Sequence, residues 1–265
     1  FDMKTFLITL SNNKDSVKST KKVLESAKKV GYSEKIELFE GILPNEWKKY
    51  LPFENFFHTY PRPDNVGACF ASHYLLWKKC VELNEPILIL EHDALFIDNI
   101  PDVDFQGCIT FGRPSYIRPQ YMVYEEPKDG VNPLIQINFL GHHAYAIKPH
   151  AAKLFCEDCK TIPLGANDVW MTKSAYHWLE EYRPYPIIAD TAFSTIQAPI
   201  LVRACKDNPL ECIDDPTDVE NIIKGYKKKF PGLKCWEEGT MEHTYLMKYY
   251  SQTILAPQSK RFIDV

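Results

Sequence analysis

The stretch Ile87-Leu-Ile-Leu-Glu-His-Asp-Ala-Leu-Phe96 limits the possible folds of this chain more than any other. Four aliphatic residues follow one another with no polar alternation, as in a strand covered on both faces, and such strands belong to α/β proteins. The run then meets Glu91, His92 and Asp93. In open α/β sheets ligands bind outside the carboxyl ends of the strands, and these three residues fall at such an end. Extended geometry would put Glu91 and Asp93 on one side and His92 on the other. Two carboxylates on one side raise each other's pKa unless a cation lies between them, and Mg²⁺ or Mn²⁺, hard ions that take oxygen ligands, are the economical partners. The competing reading is structural: a helix-capping carboxylate and a surface ion pair.

The flanking pattern supports an α/β order. Residues 4–10 read as a strand, Asn13 or Asp15 caps a helix to about Lys29, Gly31 ends it, and Lys35 to Phe39 form a second strand, so the chain opens with a βαβ unit. Residues 44–65 are rich in Pro and aromatics without a period and read as an ordered loop. From Val66 the residues Phe70, Trp77 and Val81 recur at helical spacing until Asn84-Glu-Pro86. Residues 107–112 form a strand, and Arg113 to Pro133, with Tyr116, Tyr121 and Tyr124, form a long irregular segment of the kind that serves as a lid or binding surface. A strand resumes at Gly141-His142-His143, one of whose imidazoles should face the cleft, and Pro149 starts a helix. A second helix runs from Asp168 toward Glu181, and Pro184 to Asp190 give another strand. From Thr217 the stripe Val219, Ile222, Ile223 and Tyr226 marks helices. The expected organisation is one domain over residues 3–200 with an appendage over 201–265.

Several classes fall away. A net charge of −4 gives no global field for nucleic acid or anionic membrane. No Gly-rich phosphate loop of the Walker or dinucleotide type is present, which removes most of the case for kinases and Rossmann dehydrogenases. No apolar run approaches the roughly 20 residues of a membrane span, and the expected location is cytoplasmic, with Met3 as the expected native start. The eight cysteines sit mostly inside apolar patterns, where a reduced Cys acts as a small hydrophobe. Cys156-Glu-Asp-Cys159 is a single C-x-x-C with no second ligand pair at zinc spacing.

Five ordered blocks carry a family resemblance: Gly67-Ala-Cys69-Phe-Ala-Ser72-His73-Tyr-Leu-Leu-Trp77, Ile87-Leu-Ile-Leu-Glu91-His-Asp93-Ala, Gly141-His-His-Ala144-Tyr145-Ala-Ile147, Ala152-Lys-Leu154 and Asp168. Together they resemble glycosyltransferase family 25, which includes bacterial lipooligosaccharide galactosyltransferases and collagen hydroxylysine galactosyltransferases. The resemblance implies a GT-A fold: a mixed, mostly parallel sheet flanked by helices, here with a helical C-terminal appendage. It also implies a metal-dependent, inverting hexosyltransferase that uses a nucleotide-sugar donor, usually a UDP-sugar. Glu91 and Asp93 match the motif that holds the divalent ion (Mn²⁺ or Mg²⁺). His92 stands where the family usually has a carboxylate, and as a ligand it would favour Mn²⁺. Asp168 matches the later acidic position and is the expected base for the acceptor hydroxyl. Ser11 and Asn12, after the first strand, would by analogy lie near the nucleobase and ribose. Ser72 and His73 are read as groups that pack against or support the site.

The acceptor has several candidates. A saccharide of a lipooligosaccharide or polysaccharide is the first. The second is a hydroxymethylated DNA base, for which Trp47 to Tyr60 would stack and Lys224 to Lys229 would meet phosphate. Collagen-type hydroxylysine is the third. From another class, the chain could be a non-catalytic nucleotide-sugar-binding module on a decayed transferase fold.

Overall fold

A computed structural model describes residues 3–51, 62–114, 128–135, 138–162, 164–173 and 175–190. The expected appendage over 201–265, the tyrosines 116, 121 and 124, and the Lys224 to Lys229 run lie outside the described residues.

The chain opens as β1 (Lys4–Thr9), α1 (Lys14–Lys29) and β2 (Ile36–Glu40), the expected βαβ unit. Asn13 starts α1 because its side-chain oxygen accepts the otherwise unpaired N–H groups of Asp15 and Ser16, at 3.0 and 3.1 Å. Gly31, at φ +75°, lets the chain leave the helix in the left-handed region. After a 3-10 turn at Trp47–Lys49 comes α2 (Pro63–Leu83), which starts three residues before Val66 because proline suits a first helical turn. Asn84 (φ 52°) ends it and leads into β3 (Ile87–Leu90).

The remaining elements are β4 (Ala94–Phe96), β5 (Cys108–Thr110), β6 (Gly112–Arg113), β7 (Gly130–Pro133), β8 (Ala144–Ile147), α3 (Pro149–Asp158), α4 (Asn167–Trp170), β9 (Leu179–Arg183) and β10 (Ile187–Ala189). Seven strands form one sheet in the order β2-β1-β3-β8-β5-β9-β7, and β4, β10 and β6 form a small second sheet. The large sheet is mixed and not mostly parallel. Pairs β1/β2, β1/β3 and β5/β9 are parallel, while β3/β8, β5/β8 and β7/β9 are antiparallel.

Alternate side chains of the central strands feed two cores. Phe6, Ile8, Ile87, Ile89, Tyr145 and Ile147 pack under α2 and α3 with Phe70, Trp77 and Phe155. Leu7, Leu88, Leu90, Ala144 and Ala146 pack on the other face with Val23 and Ala27 of α1. The ILIL run is therefore covered on both faces, as its composition demands. Truncating any of these large side chains to Ala would cost about 2–5 kcal/mol.

Three local expectations are corrected. Gly141 to His143 form a turn, and the strand starts only at Ala144. Residues 130–133, read as irregular, form β7. The helix expected from Asp168 to Glu181 stops at Trp170, and residues 179–183 form β9 instead. The reason is tertiary. Tyr176 and Trp178 turn back to join Phe155 and Trp170, while Leu179 enters the core. The two glutamates of the strand then find partners: Glu180 accepts Gln106 N–H, and Glu181 accepts Ile135 N–H and Arg183 Nε. Cys156 of α3 and Cys159, which follows its last residue, are free thiols.

Candidate active site

The parallel strands β1, β2 and β3 end on one side of the sheet. Because β2 and β3 flank β1 on opposite sides, and α1 and α2 cover opposite faces, the chain leaves a crevice at these ends. A cavity of about 320 Å³ occupies it, within the size range of small-molecule sites. Its wall includes Asn12 and Asn13 after β1, Gly41 and Ile42 after β2, Cys69 and His73 of α2, and Glu91, His92 and Asp93 after β3. Ser72 holds the β2 loop against α2, since its Oγ accepts Ile42 N–H and donates to Ala68 O.

Glu91 to Ala94 form a turn and not an extended segment: Ala94 N–H donates to Glu91 O at 3.0 Å. The three side chains of the motif consequently separate. Glu91 N–H donates to His143 O, and its Oε1 accepts His142 Nδ1 at 2.9 Å and lies 3.3 Å from His73 Nε2. His92 turns to α1, where its Nδ1 is 3.1 Å from Ser16 Oγ. Asp93 is fixed through its carbonyl, which accepts Asp190 N–H at 2.7 Å, and its Oδ1 is buried without a hydrogen-bond partner.

The electrostatics follow from this placement. Burial works to raise the Glu91 carboxyl, but the hydrogen bond from His142 and the contact with His73 outweigh it and hold Glu91 well below the usual carboxylate range. Asp93 moves the other way, pushed well above that range by burial, by Glu91 and by Asp190. Burial, with His142 beside it, depresses His73 to about 4, and burial depresses His143 to a similar value, so both rings are neutral at pH 7. Burial also lowers His92.

His142, not His143, is the imidazole that reaches Glu91. Its ring centroid is 4.0 Å from that of His73. His143 lies beside Gly112 instead, where any added Cβ would collide with its ring. Asp168 sits in the first turn of α4. Burial raises its carboxyl, His142 opposes that shift and Glu91 adds to it, so Asp168 shares the field of this cluster although it is not part of the cavity wall.

Of the residues expected from the sequence, Asn12, Glu91, His92 and Asp93 come together at the cavity. Ser11 is drawn away: its N–H and Oγ both donate to Glu40 Oε1, at 2.9 and 3.0 Å. Trp47, considered for base stacking, is buried, with its indole N–H donated to Asp64. The sequence reading took Asn13 only as a helix cap and Cys69, Trp77 and Tyr145 only as parts of the family blocks, with no role at the site. The legible signal for Cys69 and His73 was their spacing of four on a helix, which puts both on one face. Their ligand atoms and that of Glu91 lie within 4.8 Å of one another, a geometry able to hold an ion. Among the described residues no helix is long and apolar enough to cross a membrane.

A family model described as glycosyltransferase family 25 (LPS biosynthesis protein) matches residues 2–171. These residues include the whole cavity wall and Asp168. No curated protein matches the chain.

Proposed function

Because the chain belongs to glycosyltransferase family 25, we propose that it transfers a hexose from a UDP-sugar, with inversion, to a hydroxyl of a lipooligosaccharide or polysaccharide saccharide. The acceptor follows the family's description as LPS biosynthesis proteins.

One observation supports this reading above the others. Glu91 and Asp93 border the cavity at the strand ends, and Asp93 keeps a buried oxygen with no donor. Such an oxygen, in the field of a second carboxylate, fits a hard divalent ion. Glu91 and Asp93 would hold Mn²⁺ or Mg²⁺, whereas His92 is engaged by Ser16 at Nδ1. When bound, the ion supplies positive charge to the diphosphate oxygens as the leaving group departs. Asn12 and Asn13 offer amides where β1 ends, the place proposed for the nucleoside, with Ser11 behind them on Glu40. Asp168 takes the proton of the acceptor hydroxyl, a role helped by a carboxyl pKa raised toward ambient pH.

Thermal melting with UDP and other nucleoside diphosphates, each with Mn²⁺, Mg²⁺ or chelator, tests the reading. A ligand at about 100 times its dissociation constant adds roughly 2.7 kcal/mol, or about 2–4 °C. We expect a UDP shift that requires the ion. No shift with any nucleotide would remove the donor site.

A further inference from the structure

Behind Glu91 runs a buried chain of hydrogen-bonding groups that the transfer reaction does not explain. Trp77 Nε1 lies 2.8 Å from Tyr145 Oη, Tyr145 Oη lies 3.0 Å from His73 Nδ1, and His73 Nε2 lies 3.3 Å from Glu91 Oε1. Trp77, Tyr145 and His73 are fully buried, so no water relieves an unpaired group.

The donor inventory fixes the direction of this chain. An indole N–H only donates, so Tyr145 Oη accepts from Trp77. The Tyr145 hydroxyl then has its own proton to donate. That proton has one acceptor among its hydrogen-bond neighbours, His73 Nδ1. With Nδ1 accepting that proton, the His73 ring carries its own hydrogen on Nε2, where it faces the Glu91 carboxylate. The opposite tautomer would leave the Tyr145 hydroxyl without an acceptor and turn a nitrogen lone pair toward a carboxylate oxygen.

We infer that Tyr145, seconded by Trp77, is a positioning residue that sets the tautomer of His73 and so decides which ions the cluster can take. Cys69, His73 and Glu91 together form a thiolate, imidazole and carboxylate set of the kind that binds Zn²⁺ or Co²⁺. A metal needs the lone pair of His73 Nε2, and Tyr145 keeps a proton there. The soft set stays closed, and Glu91 remains available with Asp93 for a hard ion. This last step rests on the proposed role of Glu91, whereas the tautomer does not.

The first test uses the wild-type protein. Imidazole nitrogen NMR, with the His73 signals identified by their absence in His73→Gln, should show a protonated Nε2 and a bare Nδ1. The reverse pattern, or two averaged nitrogens, overturns the inference. The second test is titration with Co²⁺, read by thiolate-to-cobalt charge-transfer absorption. The wild type should show little, Tyr145→Phe should bind Co²⁺ about tenfold tighter or more and gain the band, and adding Cys69→Ser should remove it. A strong band in the wild type that Cys69→Ser abolishes, or a folded Tyr145→Phe without gain, overturns the ion-selecting role. Should Tyr145→Phe not fold, the wild-type NMR still decides the tautomer. The melting shift with UDP and Mn²⁺ is separate: its absence would end the transferase reading and leave the tautomer intact.

Discussion

His142 Nδ1 meets Glu91 Oε1 at 2.9 Å across 51 residues of sequence. The Glu91 side chain is 25 % exposed, so most of its charge is stabilised by protein and not by water. We predict that His142→Ala leaves this carboxylate short of its best donor and lowers stability by about 1.5–3 kcal/mol, the usual size for a hydrogen bond to a charged group. Urea denaturation at neutral pH measures it, and a midpoint equal to wild type would show that His142 does not support Glu91.

Asp93→Asn should stabilise the protein alone while removing its ion-dependent nucleotide shift. In the fold Asp93 is buried near Glu91 and Asp190, which raises its pKa above the unfolded value. A raised pKa opposes folding at neutral pH, where the unfolded chain is ionised at this position, and asparagine removes that opposition. A variant that melts lower than wild type, or keeps the UDP shift with Mn²⁺, would contradict the assignment.

Acid should weaken the fold earlier than carboxylate protonation alone predicts. His73 and His143 stand at about 4, against an ordinary value near 6.5, so between these pH values the unfolded chain binds more protons. The stability from keeping them neutral is complete above about pH 6.5 and is lost as pH falls toward 4, on the order of 3 kcal/mol for each ring taken singly. Unfolding midpoints at pH 7 and pH 5 reveal it, and equal midpoints would mean that these rings are not held neutral.

Asp168→Asn should retain the UDP shift with Mn²⁺ and lose transfer by about two decades or more, the typical contribution of a positioned base. Turnover near the wild-type rate would pass the role to another group.

Gly141→Ala should damage site and fold together. A Cβ there would strike the Gly112 carbonyl and Thr110 Oγ1, which already accepts Gly112 N–H and donates to Gly141 O. Overpacking of this kind costs about 1–3 kcal/mol, and the neighbouring His142 would move with the turn. A variant with wild-type stability and UDP response would mean that the turn yields freely.

Much of this arrangement was legible in the sequence because local rules and tertiary packing agree there. Asn13, Gly31 and Asn84 punctuate the first half where their side chains or φ angles require, and the unbroken Ile87–Leu90 run could only be a strand between two layers. The pattern failed where packing overrode it. Glu180 and Glu181 favour helix locally, yet partners on distant segments hold them in a strand. The direction of β8 was equally hidden, since four apolar residues carry no sign of polarity. For the site, the acidic pair and Asn12 were readable as residue types at a strand end. The Trp77–Tyr145–His73 chain was not, because two of its members read as ordinary core aromatics and only their orientation distinguishes them.

The antiparallel run of β8 between β3 and β5 also has a meaning in time. A ribosome releasing this chain in order delivers Glu91, Cys69 and the cavity wall well before residues 141–147. Until that late strand slots in, Glu91 has no His142 and His73 has no Tyr145 to direct its proton. A half-made molecule thus has carboxylates and a thiol open to whatever ion passes, and the last central strand to arrive is the one that makes the centre discriminate.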